Sequence, residues 1–494
     1  MVFRNVISQE EEGETIMIVD LILLFVIVVM VAYMIRHYIF TFHATFRPSL
    51  QKSYLQTAGI FEPKVSVLIP AHNEERVIGN LLQRLTETTY PKDKMEVVVV
   101  DDASTDKTGE IVDKFADAHP YIKAIHRKNG GNGKPDALNT GLAFSNGEVV
   151  LTFDADYYPQ RDIIEKLVSP FIDPEVAAVQ GRVTVLNEED SFVSKIVTLD
   201  RIGGYRIDQL ARDNLILTPQ YGGTVGGFKR KVLEQVGGRD PNMLAEDTDL
   251  TCRFVLDGYQ LRYVNDAECY EEGVSNWRSF WSQRYRWAKG HMQVAFKYLG
   301  RFLRAKQFSF LEKLEMTMLL NIYFMPILVL VGWTIGLLAY LFGVEVMLWQ
   351  FMGALSIITY STMGNFAPFF EAGTVAYLDD RKELLWMLPA LMTAYFVTVL
   401  VCTKAMIALL INRKGDHSWV PTVHNGNGNN FLNNKNGNHV NNRHEWNHTN
   451  HNGNGYRYLN NNNQKNGSNS MNHSNNHDGK NSNNNQNNNG RRVW

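Results

Sequence analysis

The sequence predicts an α/β protein: a mixed, mostly parallel sheet joined to membrane-spanning helices and followed by a disordered tail. Three observations carry that expectation. Between residues 64 and 153, short β-forming runs alternate with segments of helical spacing, the pattern of strands joined by crossover helices. Four apolar runs, at 16–41, 316–342, 346–370 and 384–411, each approach or exceed the roughly 20 residues a bilayer span needs. From Pro421 to Trp494, 30 of 74 residues are asparagine, and such a segment has too little apolar surface to fold alone.

Composition removes some function classes. The 494 residues carry a net charge of −2, which gives no electrostatic footprint for nucleic acid. The three cysteines, Cys252, Cys269 and Cys402, form no CxxC pair. That excludes a cysteine zinc site and a disulfide framework. Seven histidines lie in the tail without ligand spacing.

Taken in order, residues 1–15 are polar, with Glu10, Glu11, Glu12 and Glu14. The 16–41 run lacks a basic start and a small-residue cleavage site, so it reads as an anchor and not a signal peptide. Arg36, His37, Arg47 and Lys52 lie at or beyond its end. Positive residues stay cytoplasmic, which places the following domain, 60–270, in the cytoplasm.

In that domain the expected strands are Lys64–Ile69, Met95–Val100, Tyr121–His126 and Val149–Phe153. The expected helices are Glu75–Thr86, Thr108–Ala118 and Lys134–Phe144. Parallel sheets bind ligands at the carboxyl ends of their strands. The polar residues gather there: His72-Asn73-Glu74, Asp101-Asp102 and Asp154-Ala-Asp156. Asp154 and Asp156, two apart on an extended chain, leave the same face. Carboxylates so close repel unless a cation sits between them, and a hard divalent ion that also binds phosphate is the natural partner. Asp is also common in turns; three converging ends favour a site.

Residues 271–313 carry Trp277, Phe280, Trp281, Tyr285, Phe296, Leu299, Phe302 and Leu303 among arginines and lysines at helical spacing. This suits amphipathic helices on a membrane surface. The spans 316–342, 346–370 and 384–411 follow. Counting spans puts the tail outside, whereas Arg413-Lys414 puts it on the cytoplasmic side.

Several motifs occur in one order: Val65–Glu74, Val97–Asp102, Gly133-Lys134-Pro-Asp-Ala-Leu-Asn139, Asp154-Ala-Asp156, Ala245-Glu246-Asp247 and Gln283-Arg-Tyr-Arg286-Trp287. Over about residues 16–410 the chain resembles the membrane-bound family-2 glycosyltransferases, among them the processive synthases of cellulose, hyaluronan and poly-N-acetylglucosamine. The resemblance implies a GT-A fold, a UDP-sugar donor, Mg²⁺ or Mn²⁺, and inversion at the anomeric carbon. It implies donor contacts from Pro70, Asn73, Glu74, Asp102, Lys134, Asp154 and Arg286, with the metal on Asp154 and Asp156. Asp247 becomes the general base. Gln283, Trp287, Gly223 and Thr224 become the acceptor side. Ala245 stands where the family usually has Thr. The function this implies is extension of a β-linked polysaccharide for the cell envelope from UDP-N-acetylglucosamine or UDP-glucose, by a multi-pass plasma-membrane enzyme with room for an accessory export or regulatory subunit. The alternative is single transfer to a membrane lipid such as diacylglycerol.

Overall fold

The computed structural model describes residues 9–46, 54–130, 133–342 and 366–411. Its centre is one eight-stranded sheet in the order β3-β2-β1-β4-β7-β6-β8-β5. The strands are β1 Val65–Ala71, β2 Met95–Asp102, β3 Ile122–Arg127, β4 Val149–Thr152, β5 Tyr158–Pro159, β6 Val176–Val185, β7 Gly226–Lys229 and β8 Gln260–Glu271. β3, β2, β1 and β4 run parallel, β7 is antiparallel to both neighbours, and β6 and β8 are parallel. The sheet is therefore mixed and mostly parallel, as the sequence predicts.

Period two decides how each strand is buried. Val65, Val67 and Ile69 enter the core on one face of the sheet, and Leu68 enters the core on the other. Chain order runs outward from β1 to β3, then returns to β4 on β1's other side. A ligand crevice forms where the order reverses, at the carboxyl ends. The ends of β1, β2 and β4 carry His72, Asp102 and Asp154.

The Thr108–Ala118 helix matches its expected bounds, and Lys134–Ala143 ends one residue early. The Ile78–Thr86 helix starts three residues late. Upstream, the Glu74 and Glu75 amides donate to Thr108 Oγ1 (2.8 Å) and Asp106 Oδ2 (3.1 Å) of the neighbouring loop.

Among the described residues, three helical stretches are long and apolar enough to cross a membrane: Met17–Phe46, Phe310–Leu341 and Lys382–Ile411. The first belongs to a longer helix, Gln9–Phe46, which takes in the four glutamates expected as a separate polar start. The second opens on a capping box, with Ser309 and Glu312 satisfying each other's amides. Most of the expected 346–370 span lies outside the described residues; its end falls in the Phe366–Leu378 helix. The 421–494 tail lies outside them too.

Most of the stretch 271–313, expected as amphipathic interface helices, is one element. Trp277–Arg304 is one 28-residue helix. Its Phe280 and Phe302 are buried in the protein, and its Ala288 and Met292 pack with Val401, Cys402 and Ala405 of the last span. Trp277, Phe296 and Leu303 do stay exposed. A long amphipathic helix satisfies the same periodicity against protein as against lipid.

The candidate spans join the domain through buried charge. Arg36 pairs with Asp208 (2.8 Å) and Glu315 (3.1 Å), and Arg212 pairs with the same two acids (3.2 and 2.9 Å). Two guanidiniums and two carboxylates cancel, which makes their burial tolerable. Asp208 lies in a π-helical segment, Gly203–Gln209, inserted between the helices Phe192–Ile202 and Leu210–Asn214. Breaking such a set by removing one partner costs about 3–5 kcal/mol. Arg36→Met should therefore lower the unfolding midpoint in detergent sharply, and Arg36→Met with Glu315→Met should recover part of the loss. An unchanged midpoint in the single variant contradicts the account.

Candidate active site

A cavity of about 440 Å³ opens at the carboxyl ends of β1, β2 and β4. Pro70, Glu74, Asp102, Lys134, Asp154, Asp156, Gly223, Thr224, Asp247, Gln283, Arg286 and Trp287 all line it. The sequence-predicted set thus converges, except for Asn73.

Asn73 holds a loop. It sits at φ 58°, and its Oδ1 accepts from the Thr105 amide (2.8 Å) and hydroxyl (3.2 Å). Asx side chains commonly fix turns in this way. The side chain is spent on the turn after β2, and its neighbour His72 bonds the Asp102 carbonyl at 2.7 Å.

Gly133 at φ 85° starts the Lys134–Ala143 helix. Lys134 Nζ meets Asp154 Oδ1 at 2.5 Å. Burial works against the Lys134 ammonium, but the charges of Asp154 and Glu246 outweigh it and hold its pKa above the usual value. The Asp154 amide donates to Thr224 Oγ1 at 3.1 Å. Thr224 therefore fixes the acidic turn as well as lining the cavity.

In the same cavity, Asp247 sits in the first turn of the Glu246–Leu256 helix. Its Oδ1 accepts from the Thr248 amide (2.6 Å) and hydroxyl (3.3 Å). Its Oδ2 faces Gly223, where a Cβ would stand 3.2 Å away. Glycine keeps that approach open. Desolvation raises the Asp247 pKa, and it raises that of adjacent Glu246, with help from Asp247's charge, to about 7.

The Trp277–Arg304 helix closes the cavity. A Cβ on Gly290 would lie 2.8 Å from the Ala245 amide, so glycine lets this helix press against the Glu246-Asp247 turn. Among the described residues Arg286 makes no ion pair. Burial lowers its pKa, while Glu246, Asp154 and Asp247 oppose that shift. Gln283 Oε1 is buried without a hydrogen-bond partner, and such orphans usually await a ligand or water. Trp287 does not present a bare ring. The guanidiniums of Arg201 and Arg284 lie 4.9 and 4.7 Å from its centre.

Residues 66–237 match the profile of Glycosyl transferase family 2. The chain is 30% identical over 375 residues to the beta-monoglucosyldiacylglycerol synthase of Synechocystis sp., covering 73% of this chain and 75% of that one. The chain is a family-2 glycosyltransferase. It is also 39% identical over 248 residues to the probable glycosyltransferase YdaM of Bacillus subtilis, covering 50% of this chain but only 59% of that protein. To the probable glucomannan 4-beta-mannosyltransferase 6 of Oryza sativa it is 30% identical over 264 residues, covering 52% and 46% respectively. These relatives carry the family; they do not carry the narrower likeness to cellulose, hyaluronan or poly-N-acetylglucosamine synthases.

The transferase has hard donors suited to a divalent ion, but not a closed cage. Among the described residues no three His, Cys, Asp or Glu side chains converge as ligands. Asp154 and Asp156 supply two carboxylates beside Lys134. Mg²⁺ is commonly held by one or two carboxylates plus substrate phosphates, so the set fits an ion that arrives with a diphosphate.

Sequence reading missed His291 and Gln220. His291 Nδ1 donates to the Trp287 carbonyl at 2.8 Å, and its Nε2 meets Gln220 Nε2 and Thr248 Oγ1, each at 3.1 Å. Burial lowers its pKa, so neutral imidazole links Trp287 to the Thr248 that holds Asp247. The i, i+4 spacing from Trp287 was the available signal.

A pH dependence follows from Glu246. Its folded pKa, about 7, lies above the ordinary 4.5. A raised acid favours folding while protonated, so its contribution is present below about 4.5 and is lost as pH rises through about 7. Between those values, wild type should lose stability relative to Glu246→Gln in nucleotide-free unfolding scans. A gap independent of pH contradicts the raised pKa.

Proposed function

We propose that the chain is a membrane-anchored inverting transferase that moves a hexosyl group from a UDP-sugar, UDP-N-acetylglucosamine or UDP-glucose, to the hydroxyl of a growing β-linked polysaccharide. The observation that carries this is the convergence of acids and bases in one cavity. Lys134, Asp154, Asp156, Glu246 and Asp247 line it together, and Arg286, half-buried and without an ion pair among the described residues, feels the charges of Glu246, Asp154 and Asp247. A diphosphate suits Lys134 and Arg286, and Arg286 can clamp it bidentately as lysine could not. Pro70, Glu74 and Asp102 border the space left for uridine.

Asp247 then takes the proton from the acceptor hydroxyl. The oxygen attacks the anomeric carbon from the side opposite the UDP. The bond from that carbon to the diphosphate oxygen breaks, UDP departs and the configuration inverts. Mg²⁺ or Mn²⁺, held by Asp154 and Asp156, would supply positive charge to the departing diphosphate. Trp287 and Gln283 border the acceptor's approach.

A second reading has its own support. The likeness to a glucosyldiacylglycerol synthase extends over 75% of that protein, which favours diacylglycerol as the acceptor. Either acceptor suits a site bordered by Tyr323, which belongs to a candidate span. In this account the spans lie in the plasma membrane and the α/β domain is cytoplasmic, since Arg36 and His37 lie toward the domain end of the first span.

Purified membranes offered a panel of UDP-sugars should release UDP with one of them. Product retained on a sizing column marks a polymer; a single glycolipid on a thin-layer plate marks the lipid reading. Excess EDTA should abolish release, and Mg²⁺ or Mn²⁺ should restore it. Full activity in EDTA removes the metal, and no UDP release with any sugar removes the reaction.

A further inference from the structure

The acidic turn and the Trp287 ring belong to segments 130 residues apart, yet one carboxylate touches the supports of both. Glu271 is the last residue of β8. Its Oε2 accepts from Tyr157 Oη at 2.6 Å, and its Oε1 accepts from Arg201 Nε at 2.5 Å. Tyr157 directly follows Asp156 and closes the acidic turn, its amide donating to the Asp154 carbonyl at 3.2 Å. Tyr157 is 4% exposed, so its ring has no freedom to re-aim the hydroxyl. The next residues pair with the same strand end, Tyr158 opposite Tyr270 and Pro159 opposite Cys269. On its other side, Arg201 lies over the Trp287 ring at 4.9 Å. The second guanidinium on that ring, Arg284, is fixed by Asp200 at 2.7 Å.

We infer that Glu271 is a positioning residue that sets the donor-side acidic turn and the acceptor-side Trp287 ring in register with each other. This rests on the transfer reaction proposed above. Glu271 borders the cavity beside Tyr157 and Arg201; in that scheme it acts through two arms. Tyr157 carries its effect to Asp154 and Asp156. Arg201 carries it to the plane of Trp287, because a guanidinium prefers to lie against an aromatic face. A turnover needs the anomeric carbon and the acceptor hydroxyl within about 3–3.5 Å of each other. Two surfaces carried on separate segments meet that tolerance only if something rigid joins them. A carboxylate receiving a charge-assisted hydrogen bond on one oxygen and a phenol on the other is such a joint.

The arms separate by mutation. Tyr157→Phe removes one hydroxyl and keeps the ring. Arg201→Lys keeps the charge beside Glu271 and loses the planar face on Trp287. Glu271→Gln disturbs both. Two constants are measured on each: the Kd for UDP with Mn²⁺, and the KM for whichever acceptor supports wild-type turnover, dioleoylglycerol in phosphatidylcholine vesicles or a β-linked oligosaccharide. Supporting residues of this kind change affinity or activity by about 10–100-fold. Tyr157→Phe should weaken UDP about tenfold and leave acceptor KM near wild type. Arg201→Lys should do the reverse, and Glu271→Gln should move both. If all three variants shift both constants together, or if Tyr157→Phe and Arg201→Lys shift neither, Glu271 is only a structural residue and the inference fails. Wild type that binds no UDP overturns the transfer reaction, and this inference with it; wild-type binding combined with either failing pattern overturns the inference alone.

Discussion

Asp154, Asp156, Glu246 and Asp247 are four of the ten acidic side chains that line one cavity, and their mutual repulsion is the constraint on which the site depends. Like charges in a partly desolvated space cannot all ionise at ordinary cost. The chain answers in three ways. Lys134 neutralises Asp154 at 2.5 Å. Glu246 holds its proton up to about pH 7. Arg286 stands among the acids without an ion pair to any described residue. The arrangement resolves fully only when cationic charge and a diphosphate enter together, which is why a metal-borne nucleotide suits it.

The same economy of charge ties the site to the candidate spans. Asp208 and Arg212 border the cavity and also join Arg36 and Glu315 of the candidate spans. The π-helical segment that carries Asp208 also carries Tyr205 into the cavity lining. π-Segments are rare and concentrate at functional sites. Here one segment faces both ways, and its side chains join the candidate spans to the cavity lining.

Much of this was legible in the sequence, and the reasons are local. The strands ending at His72, Asp102 and Asp154 are short apolar runs stopped by polar residues, and period and punctuation mark them. The site residues share strand ends or one helical turn, so their spacing reports their meeting. Three features escaped for physical reasons. Asn73 looks like a donor ligand, but its side chain is consumed by a turn whose partner, Thr105, lies 32 residues on. The Trp277–Arg304 helix shows a two-faced pattern, and periodicity alone does not say whether a face meets lipid or protein. Glu271 and Arg201 lie 70 residues apart, on a strand end and a helix that only the folded sheet brings together.

The central claim is that the cavity's residues divide between donor and acceptor, with Asp247 as the base for the second. UDP titration and initial rates on Asp247→Asn and Asp156→Asn, in one membrane preparation, test it most directly. The account predicts that Asp247→Asn loses about 10²–10⁴-fold in turnover, the range for a positioned base, with UDP affinity near wild type or slightly tighter. It predicts that Asp156→Asn loses metal-dependent UDP binding as well as turnover. Near-normal turnover in Asp247→Asn, or loss of UDP binding as severe as in Asp156→Asn, would contradict the division on which the whole account rests.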